Sequence, residues 1–506
     1  MRCAFARGEV SGSRRLLLIA LLVAMAATGC GDSGSTSTSQ STTSWPAPNG
    51  DAANHRRAGG SIDAESVSRL QAAWRVPLEG GYAATPIVLD GVVYAQDLQS
   101  NVYAIELDGG RMLWKRAYEE SDIGPNGVNV ADGVVFGATQ THAFALDAKT
   151  GRERWSVMLA NRPGDAIDMA PGIADGTVYV STAVSGAGAV GTLWALDVDT
   201  GRPRWRWEQI PADLWGRADV NSGGGLWHPP AFDENGQLYV STGNPLPFPG
   251  TAGHPWGSSR PGDNRWTNSI VKLDATTGRV LWGRQVLPHD VYDWDLEGPV
   301  ILDKVGGRLL ALTAGKMGVV YAFDAASGAL RWRRPVGLHN GHDRDNLIAM
   351  RGGVPLSRPT RILPGWWGGV ETQMASDGQT LYVPVNNLPT VYQSGTELTP
   401  SDPERGTGEV VALDIASGRV RWDRRLPSTP YGAATISNDL VFTTTYDGQL
   451  WALARSTGKV VWSTSAFSHT NAPLVVAGDT LIAGGTAQPQ AGQQLELVAY
   501  RLDAGG

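Results

Sequence analysis

The chain has 506 residues, a formal net charge of −7 and 18% charged residues. An acidic chain without a basic stripe is not expected to bind nucleic acid. Glycine is abundant, at 64 residues, and no helical periodicity persists beyond the first segment, which indicates an all-β protein.

Residues 1–29 have the pattern of a lipoprotein signal peptide. Four arginines and the apolar run LLLIALLVAMAA precede Ala27-Thr28-Gly29-Cys30. This resembles the lipobox of bacterial lipoproteins and predicts acylation of Cys30; an ordinary signal peptide is the alternative. Residues 30–44 are rich in Ser and Thr and predict a flexible tether. The remainder is then expected outside the cytoplasm, anchored to the bacterial cell membrane through lipid.

Beyond the tether, one formula recurs. In most copies an Asp lies eight residues before a Trp and a Gly four residues before it, as in ALDAKTGRERW and ALDIASGRVRW. The Asp can accept hydrogen bonds from turn amides, and the Gly takes a positive φ that other residues avoid. The Trp can then pack as an apolar plate between neighbouring units. The recurring tryptophans are Trp74, Trp114, Trp155, Trp205, Trp282, Trp332, Trp422 and Trp462.

The repeat predicts a β-propeller over residues 45–506. A unit of about 40 residues with four short strands is typical of a propeller blade. The Trp-to-Trp intervals give seven units, and pairing of residues 68–76 with residues 496–503 would complete an eighth. Such pairing closes the ring and removes exposed sheet edges. Eight blades are therefore predicted, with seven as the alternative.

Cysteine is scarce, which limits the redox chemistry. Cleavage before Cys30 would leave it as the only cysteine, without a disulfide or a thiolate metal site. The chain has no Cys-x-x-Cys-His and so no covalently attached haem. Any electrons released in a reaction would pass to a separate carrier.

The entry segment WPAPNGDAANHRRAGGSIDAESVSRLQAAWRV and the repeats resemble the pyrroloquinoline quinone (PQQ) dehydrogenases, eight-bladed quinoproteins that oxidise alcohols. The resemblance covers residues 45–503. It implies an oxidoreductase with PQQ and a Ca²⁺ or lanthanide ion. It also implies a small alcohol, sugar or aldehyde as substrate and an external electron acceptor.

Four segments carry the family's site pattern. In GGGLWHPPAFD, the resemblance implies Trp227 as the platform under the quinone, and in STGNP it implies Asn244 as a cation ligand. In PHDVYDWDLEGP, it implies Asp293 as general base and ligand. Asp295 falls where lanthanide-dependent members carry an additional ligand. In AGKMGVVYAFD, Lys316 is implied to contact the quinone oxygens during catalysis.

The residue types suit these roles. A flat indole suits a tricyclic quinone, and amide and carboxylate oxygens suit a hard cation. Each segment also has a purely structural interpretation: a packing Trp, a Gly-Asn-Pro turn, a solvated acidic loop and a Lys at a hairpin turn.

Three of the family's site features are missing. Ala83 stands where the family has an acidic residue, Pro125-Asn126-Gly127 lacks an Arg that pairs with a cofactor carboxylate, and Gly186 replaces a Glu ligand. Asp168 falls near the missing Arg and is expected to weaken binding of the PQQ carboxylates. A second interpretation therefore stays open: a non-catalytic lipoprotein propeller that serves as an envelope assembly scaffold or binding module.

Overall fold

Antiparallel β-sheets make up nearly all of the regular structure in the computed structural model, which describes residues 43–184, 186–485 and 495–502. The all-β prediction is confirmed. Eight of the sheets have at least four strands, and they are numbered here sheet 1 to sheet 8. The signal peptide, Cys30 and most of the tether lie outside the described residues, so those assignments stay predictions.

The first four sheets follow in chain order. Sheet 1 contains Ile87–Leu89, Val92–Gln96, Val102–Glu106 and Met112–Arg116. Sheet 2 contains Asn129–Ala131, Val134–Ala138, His142–Asp147 and Glu153–Met158. Sheet 3 contains Gly172–Ala174, Thr177–Ser181, Thr192–Asp197 and Pro203–Glu208. Sheet 4 contains Ala231–Phe232, Leu238–Ser241, Ser269–Leu273 and Val280–Gln285.

The last four sheets include both ends of the described chain. Sheet 5 contains Ile301–Val305, Arg308–Gly315, Val319–Asp324 and Leu330–Pro335. Sheet 6 contains Ala375–Ser376, Thr380–Asn387, Thr407–Asp414 and Val420–Leu426. Sheet 7 contains Thr435–Ser437, Leu440–Thr444, Gln449–Ala454 and Val460–Ser465, with Arg57–Ala58 added in parallel. Sheet 8 contains Val475–Ala477, Thr480–Gly484, Glu496–Leu502 and Leu70–Pro77.

The terminal strands pair as the sequence predicts. Leu70–Pro77 lies antiparallel to Glu496–Leu502, with Trp74 opposite Ala499. A strand from near the N-terminus therefore completes the sheet formed by the last strands of the chain. This topology favours the predicted eight blades over seven.

The recurring tryptophans join each sheet to the next. In seven of the eight, the indole N–H donates a hydrogen bond of 2.8–3.0 Å to the backbone carbonyl of the residue that directly follows the turn Asp, or its replacement, in the next sheet. The pairs are Trp74–Leu107, Trp114–Ala148, Trp155–Val198, Trp205–Ala275, Trp282–Ala325, Trp332–Ile415 and Trp422–Arg455. Because Trp74 belongs to sheet 8 and reaches sheet 1, this contact joins the last sheet to the first.

The glycine of each turn is required on two grounds. Gly278 has a φ of +71°, and a Cβ placed on it would lie 2.5 Å from Cε3 of Trp205. The turn itself is held by its Asp, since Asp274 Oδ1 accepts a hydrogen bond of 2.9 Å from Thr277 N. Asp, Gly and Trp therefore act together, which explains why the sequence repeats all three.

An N-terminal segment, residues 45–62, contacts the first strands of several sheets. Asn54 Nδ2 donates to the carbonyls of Pro229 and Val300 at 3.4 and 3.0 Å. Arg56, fully buried, donates to the carbonyls of Ala434 and Leu474 at 2.8 and 3.2 Å. This segment thus ties sheets 4 and 5 to sheets 7 and 8.

Helices are few and short in the described part of the chain. The α-helix Asp345–Met350 and the 3₁₀ helices Val67–Arg69, Leu214–Gly216, Pro255–Gly257 and Pro403–Arg405 all lie outside the eight sheets. Three smaller sheets lie in loops and pair Asp165–Ala166 with Ala183–Val184, Ser222–Gly223 with Pro245–Leu246, and Thr360–Ile362 with Thr390–Tyr392 and Leu398–Thr399. None of the described helices has the length and apolar character needed to cross a bilayer.

A pair of glycine substitutions separates turn strain from tryptophan docking. Gly278→Ala and Gly91→Ala both place a Cβ at positive φ, but nothing lies within 4 Å of the Cβ at Gly91. Overpacking costs about 1–3 kcal/mol, so we expect Gly278→Ala to lower the free energy of unfolding by that much more than Gly91→Ala. Urea unfolding of both variants measures the difference. Equal losses would mean that the indole moves aside without cost.

Candidate active site

A cavity of about 650 Å³ opens at one end of the sheets. Its lining residues lie in loops that enter the first strand of a sheet or join its second and third strands, and both kinds of loop lie at the same end of a four-stranded antiparallel sheet. The volume falls in the range of small-molecule and cofactor sites. All five predicted site residues line this cavity: Trp227, Asn244, Asp293, Asp295 and Lys316.

The loop that carries Asp293 and Asp295 is held by the fully buried Asp290. Its Oδ1 accepts a hydrogen bond of 2.8 Å from Tyr292 N, and its Oδ2 accepts one of 2.6 Å from Trp294 N. Asn268 Oδ1 accepts a further bond of 2.9 Å from Leu296 N. The carboxylate therefore acts as a local template that bends the backbone and turns the next two Asp side chains into the cavity.

A long insertion, residues 333–421, also holds the loop that carries Asp293 and Asp295. Asn346 Oδ1 accepts a hydrogen bond of 2.8 Å from Val291 N, and Tyr392 Oη donates to the Tyr292 carbonyl at 2.7 Å. The Trp294 indole donates to the carbonyl of Pro364 at 3.1 Å. The loop is thus fixed by contacts that are distant in sequence.

Lys316 lies among three carboxylates. Its Nζ is 3.0 Å from Asp293 Oδ2, 2.9 Å from Asp295 Oδ2 and 3.7 Å from Glu297 Oε2. All four side chains are at least nine-tenths buried. Asn244 completes the group: its Nδ2 donates to Asp293 Oδ1 at 2.6 Å, and its backbone N donates to Asp295 Oδ1 at 2.6 Å. Four of the predicted site residues therefore form one connected polar cluster.

Asp293 has the environment of a general base. It adopts a φ of +59°, a left-handed conformation that Asp tolerates better than most residues. Burial raises the pKa of Asp293 above its ordinary value; repulsion from Asp295 and Asp290 adds to this, while Lys316 opposes it. A carboxyl group whose pKa is raised toward neutrality suits proton transfer near physiological pH. The solvated-loop interpretation of these acids is wrong, since the structure buries them.

Aromatic side chains form much of the remaining wall. Trp227 is half-buried and lies close to the polar cluster, since a Cβ on Gly243 would be 3.5 Å from its Nε1 and 3.0 Å from Asp295 Oδ1. Elsewhere in the lining, the ring centroid of Trp366 is 5.1 Å from that of Trp367 and 5.8 Å from that of Phe248. These side chains offer flat apolar surface beside the charged cluster.

The positions at which the family's features are missing differ in whether they line the cavity. Ala83 and Pro125 line the cavity with small apolar surface. Gly186 does not line it, and a Cβ on Gly186 would lie 2.9 Å from the Cα of Gly164. A glutamate ligand therefore has no room at that position.

Asp168 forms a buried carboxyl pair with Asp122 behind the wall formed by Ile123–Pro125. Burial, and then repulsion from Asp122, raises the pKa of Asp168 well above its ordinary value. In the described structure neither carboxylate takes part in an ion pair, and Asp122 Oδ1 accepts a hydrogen bond of 2.8 Å from Gly124 N. A protonated Asp168 would repel an anionic ligand less than the sequence suggests.

Two further acids of the cavity were not assigned roles from the sequence. Glu297 lies in the acidic segment PHDVYDWDLEGP, and Glu371, in GGVETQ, carries no motif. Both line the cavity, and Glu297 Oε1 and Glu371 Oε2 are buried without a hydrogen-bond partner. The one sequence signal near Glu371 was the pair Gly368-Gly369, which indicates a close approach of two backbone segments. In the structure a Cβ on Gly369 would collide with the Lys316 carbonyl.

The donor set fits a hard cation in its chemistry. Asn244, Asp293 and Asp295 present amide and carboxylate oxygens, which Ca²⁺ and lanthanides prefer. Lys316 occupies the position between the carboxylates, and no group of three or more His, Cys, Asp or Glu side chains in the described ranges is arranged to hold a metal. A metal ion would therefore have to displace the ammonium group of Lys316 from at least one carboxylate.

The cavity lining suits the flat rings of PQQ better than it suits the three PQQ carboxylates. Trp227 and the other aromatic side chains of the lining suit a flat tricyclic ligand. Among the described lining residues, Lys316 is the only lysine and there is no arginine, so three cofactor carboxylates would meet one cation. A bound metal ion would supply the missing positive charge.

The fold and the cavity define the class of protein: a β-propeller whose cavity combines a buried cluster of acids and one lysine with aromatic walls. One matching family model, described as "Glucose/ethanol/alcohol dehydrogenase, beta-propeller domain", covers residues 162–329. A second, described as "Outer membrane protein assembly factor BamB", covers residues 98–222 and 316–506. The chain belongs to the family of PQQ-repeat β-propellers, which includes the quinoprotein alcohol dehydrogenases.

Curated relatives match most of the chain. It is 29% identical over 498 residues to quinohemoprotein alcohol dehydrogenase ADH-IIG of Pseudomonas putida, covering 82% of this chain and 67% of that protein. It is 28% identical over 499 residues to a quinohemoprotein alcohol dehydrogenase of Comamonas testosteroni, covering 84% and 68%.

A solved structure, the quinohemoprotein alcohol dehydrogenase from Comamonas testosteroni, matches with a TM-score of 0.79 and 24% identity, covering 92% of this chain and 81% of that one. It supports the fold. The predicted family and the propeller fold are confirmed, and the relatives support an oxidoreductase. The roles of the individual site residues stay predictions.

Replacing Asp168 tests the acid pair. Its raised pKa means that the folded state retains a proton that the unfolded state, with the ordinary pKa of an Asp carboxyl group, releases. Stability associated with that proton is present at low pH and is lost as the pH rises. We expect Asp168→Asn to raise Tm relative to wild type by roughly 2 °C at pH 8, with a smaller gain at pH 4.

Differential scanning calorimetry of Asp168→Asn at both pH values measures the effect. Asp175→Asn, at an exposed turn of sheet 3, is the control and should show no such pH dependence. A loss of stability in Asp168→Asn that is equal at both pH values would contradict a shared-proton pair.

Proposed function

We propose that this protein is a membrane-tethered quinoprotein oxidoreductase that oxidises a small alcohol, sugar or aldehyde with PQQ and a Ca²⁺ or lanthanide ion. The buried cluster of Asn244, Asp293, Asp295 and Lys316 beside aromatic walls carries the proposal. Acylated Cys30 would hold the domain at the cell membrane, outside the cytoplasm.

Within this function each side chain has a distinct task. Trp227 would stack against the quinone rings, and Asn244, Asp293 and Asp295 would hold the cation. Asp293, whose pKa burial raises, would accept the hydroxyl proton of the substrate. Lys316 would contact the quinone oxygens once released from a carboxylate. The bound quinone supplies the hydride acceptor, and its electrons would leave to an external carrier.

Buried charge supports a catalytic role for the cluster. Placing a Lys and several carboxylates out of water costs several kcal/mol per ion unless mutual attraction offsets it. A propeller that served only as a packing scaffold would be at least as stable with apolar residues here. Perturbed titratable groups that share a cavity are typical of functional sites.

A second candidate function rests on the match to the BamB model, which covers residues 98–222 and 316–506. In that case the protein would act as an envelope assembly scaffold, and its partners would be envelope proteins. The missing clamp arginine at Pro125-Asn126-Gly127 also favours this alternative.

Cofactor titration separates the two functions. We expect the full-length protein to bind PQQ saturably in the presence of Ca²⁺ or La³⁺, because the cation neutralises carboxylates that otherwise repel PQQ. Tryptophan quenching and quinone absorbance report binding, which Trp227→Ala should weaken. Failure to bind with either metal would refute the quinoprotein proposal and favour the scaffold.

Turnover tests the role of Asp293. Loss of a general base typically costs 10²- to 10⁴-fold, and we expect a decrease of about that size in Asp293→Asn, measured with an artificial acceptor. Asp263→Asn makes the same change at an exposed residue outside the cavity and should retain full activity. Unchanged turnover in Asp293→Asn would remove Asp293 from the mechanism.

A further inference from the structure

The cavity has more acidic side chains than a cation site at Asp293 and Asp295 requires. Four of its described lining residues are acidic, and Lys316 is the only lysine. A cation bound at Asp293 and Asp295 would leave two acids of the lining, Glu297 and Glu371, without an assigned role.

Glu297 and Glu371 also leave hydrogen-bond acceptors unused. Glu297 is 7% exposed, and its Oε1 has no hydrogen-bond partner. Glu371 Oε2 is likewise buried without a partner, as is Oδ1 of Asn471, which also lines the cavity. In the described structure Glu371 forms no ion pair. Three unsatisfied acceptors around one cavity fit a ligand that brings positive charge or donors.

The wall next to Glu371 is aromatic. Trp366 and Trp367 precede it in the chain, and Tyr431 Oη donates a hydrogen bond of 3.1 Å to the Trp367 carbonyl. Tyr431 contacts Tyr446 with centroids 5.9 Å apart. Aromatic faces attract ammonium groups, quaternary ones included, through cation–π interactions. The Glu371 carboxylate would pair with an ammonium group that the aromatic rings surround.

We propose that the wall formed by Glu297, Glu371, Trp366, Trp367 and Tyr431 binds an ammonium group, so that the substrates of this site are amino alcohols. The assignment of a substrate class rests on the proposed oxidoreductase function; the ammonium subsite itself does not. The ammonium group is held by Glu297 and Glu371, the two acids of the lining that the cation assignment does not use.

Choline and its neutral isostere 3,3-dimethylbutan-1-ol test the subsite. They have nearly the same shape, and only choline carries a charge. We expect the full-length protein, without quinone and in saturating Ca²⁺, to bind choline with a dissociation constant about tenfold lower than the isostere. Isothermal titration calorimetry measures both. Equal affinities would overturn the proposal, and so would loss of choline binding on addition of Ca²⁺, because choline would then occupy the metal position.

Substitution locates the binding. Glu371→Gln should weaken choline about tenfold and leave the isostere unchanged. Glu234→Gln removes the same charge at an exposed turn and should change neither. Equal weakening of both ligands by Glu371→Gln would overturn the proposal, since a general change of shape would explain it. A thermal melt of each variant confirms that it is folded.

These results are independent of the cofactor. If choline binds selectively and PQQ does not bind at all, the ammonium subsite stands and the quinoprotein function fails. If PQQ binds with metal and both alcohols bind equally, the function stands and the substrate class fails.

Discussion

The docking of one tryptophan on the next glycine turn is the interaction on which the architecture depends. Seven of the eight indoles donate to a carbonyl of the neighbouring sheet and lie where a Cβ on the turn glycine would collide with them, as Trp205 does at Gly278. A single hydrogen bond of this kind contributes about 1 kcal/mol, but the contact recurs around the ring. It fixes the spacing of the sheets, and so brings loops far apart in sequence to one cavity.

The cavity depends on this spacing because its charged groups come from different sheets. Asn244 belongs to sheet 4, Lys316 follows a strand of sheet 5, and Asp293 and Asp295 lie between those sheets. Glu371 approaches from the entry to sheet 6. Mutual attraction across the boundaries keeps buried ions from destabilising the fold, since an isolated buried charge is costly. Asn268 and the insertion of residues 333–421 then hold the loop that carries the two Asp residues.

The fold could be predicted from the sequence because its signal is local and repeated. An Asp turn, a Gly and a Trp lie within a few residues, and each has a physical reason at its position. The resemblance also indicated the residues that meet at the polar cluster. Glu371 could not be found in this way, since it has no motif and reaches the cavity only through tertiary packing. The burial of Asp290 and Glu297 was equally hidden, because an acidic run looks like a solvated loop until the neighbouring insertion covers it.

The choice between an oxidoreductase and a scaffold, the two functions that the family models suggest, depends on the buried charges. A scaffold needs the ring and its docked tryptophans, and nothing in that role requires Lys316 to lie among Asp293, Asp295 and Glu297. These buried ions are tolerated only while they compensate one another, and they leave unsatisfied oxygens on Glu297 and Glu371. A cavity in that state gains stability from any ligand that supplies positive charge, because such a ligand binds the folded protein and not the unfolded chain. The same excess of acid that opposes PQQ alone therefore favours a metal ion and a cationic substrate together.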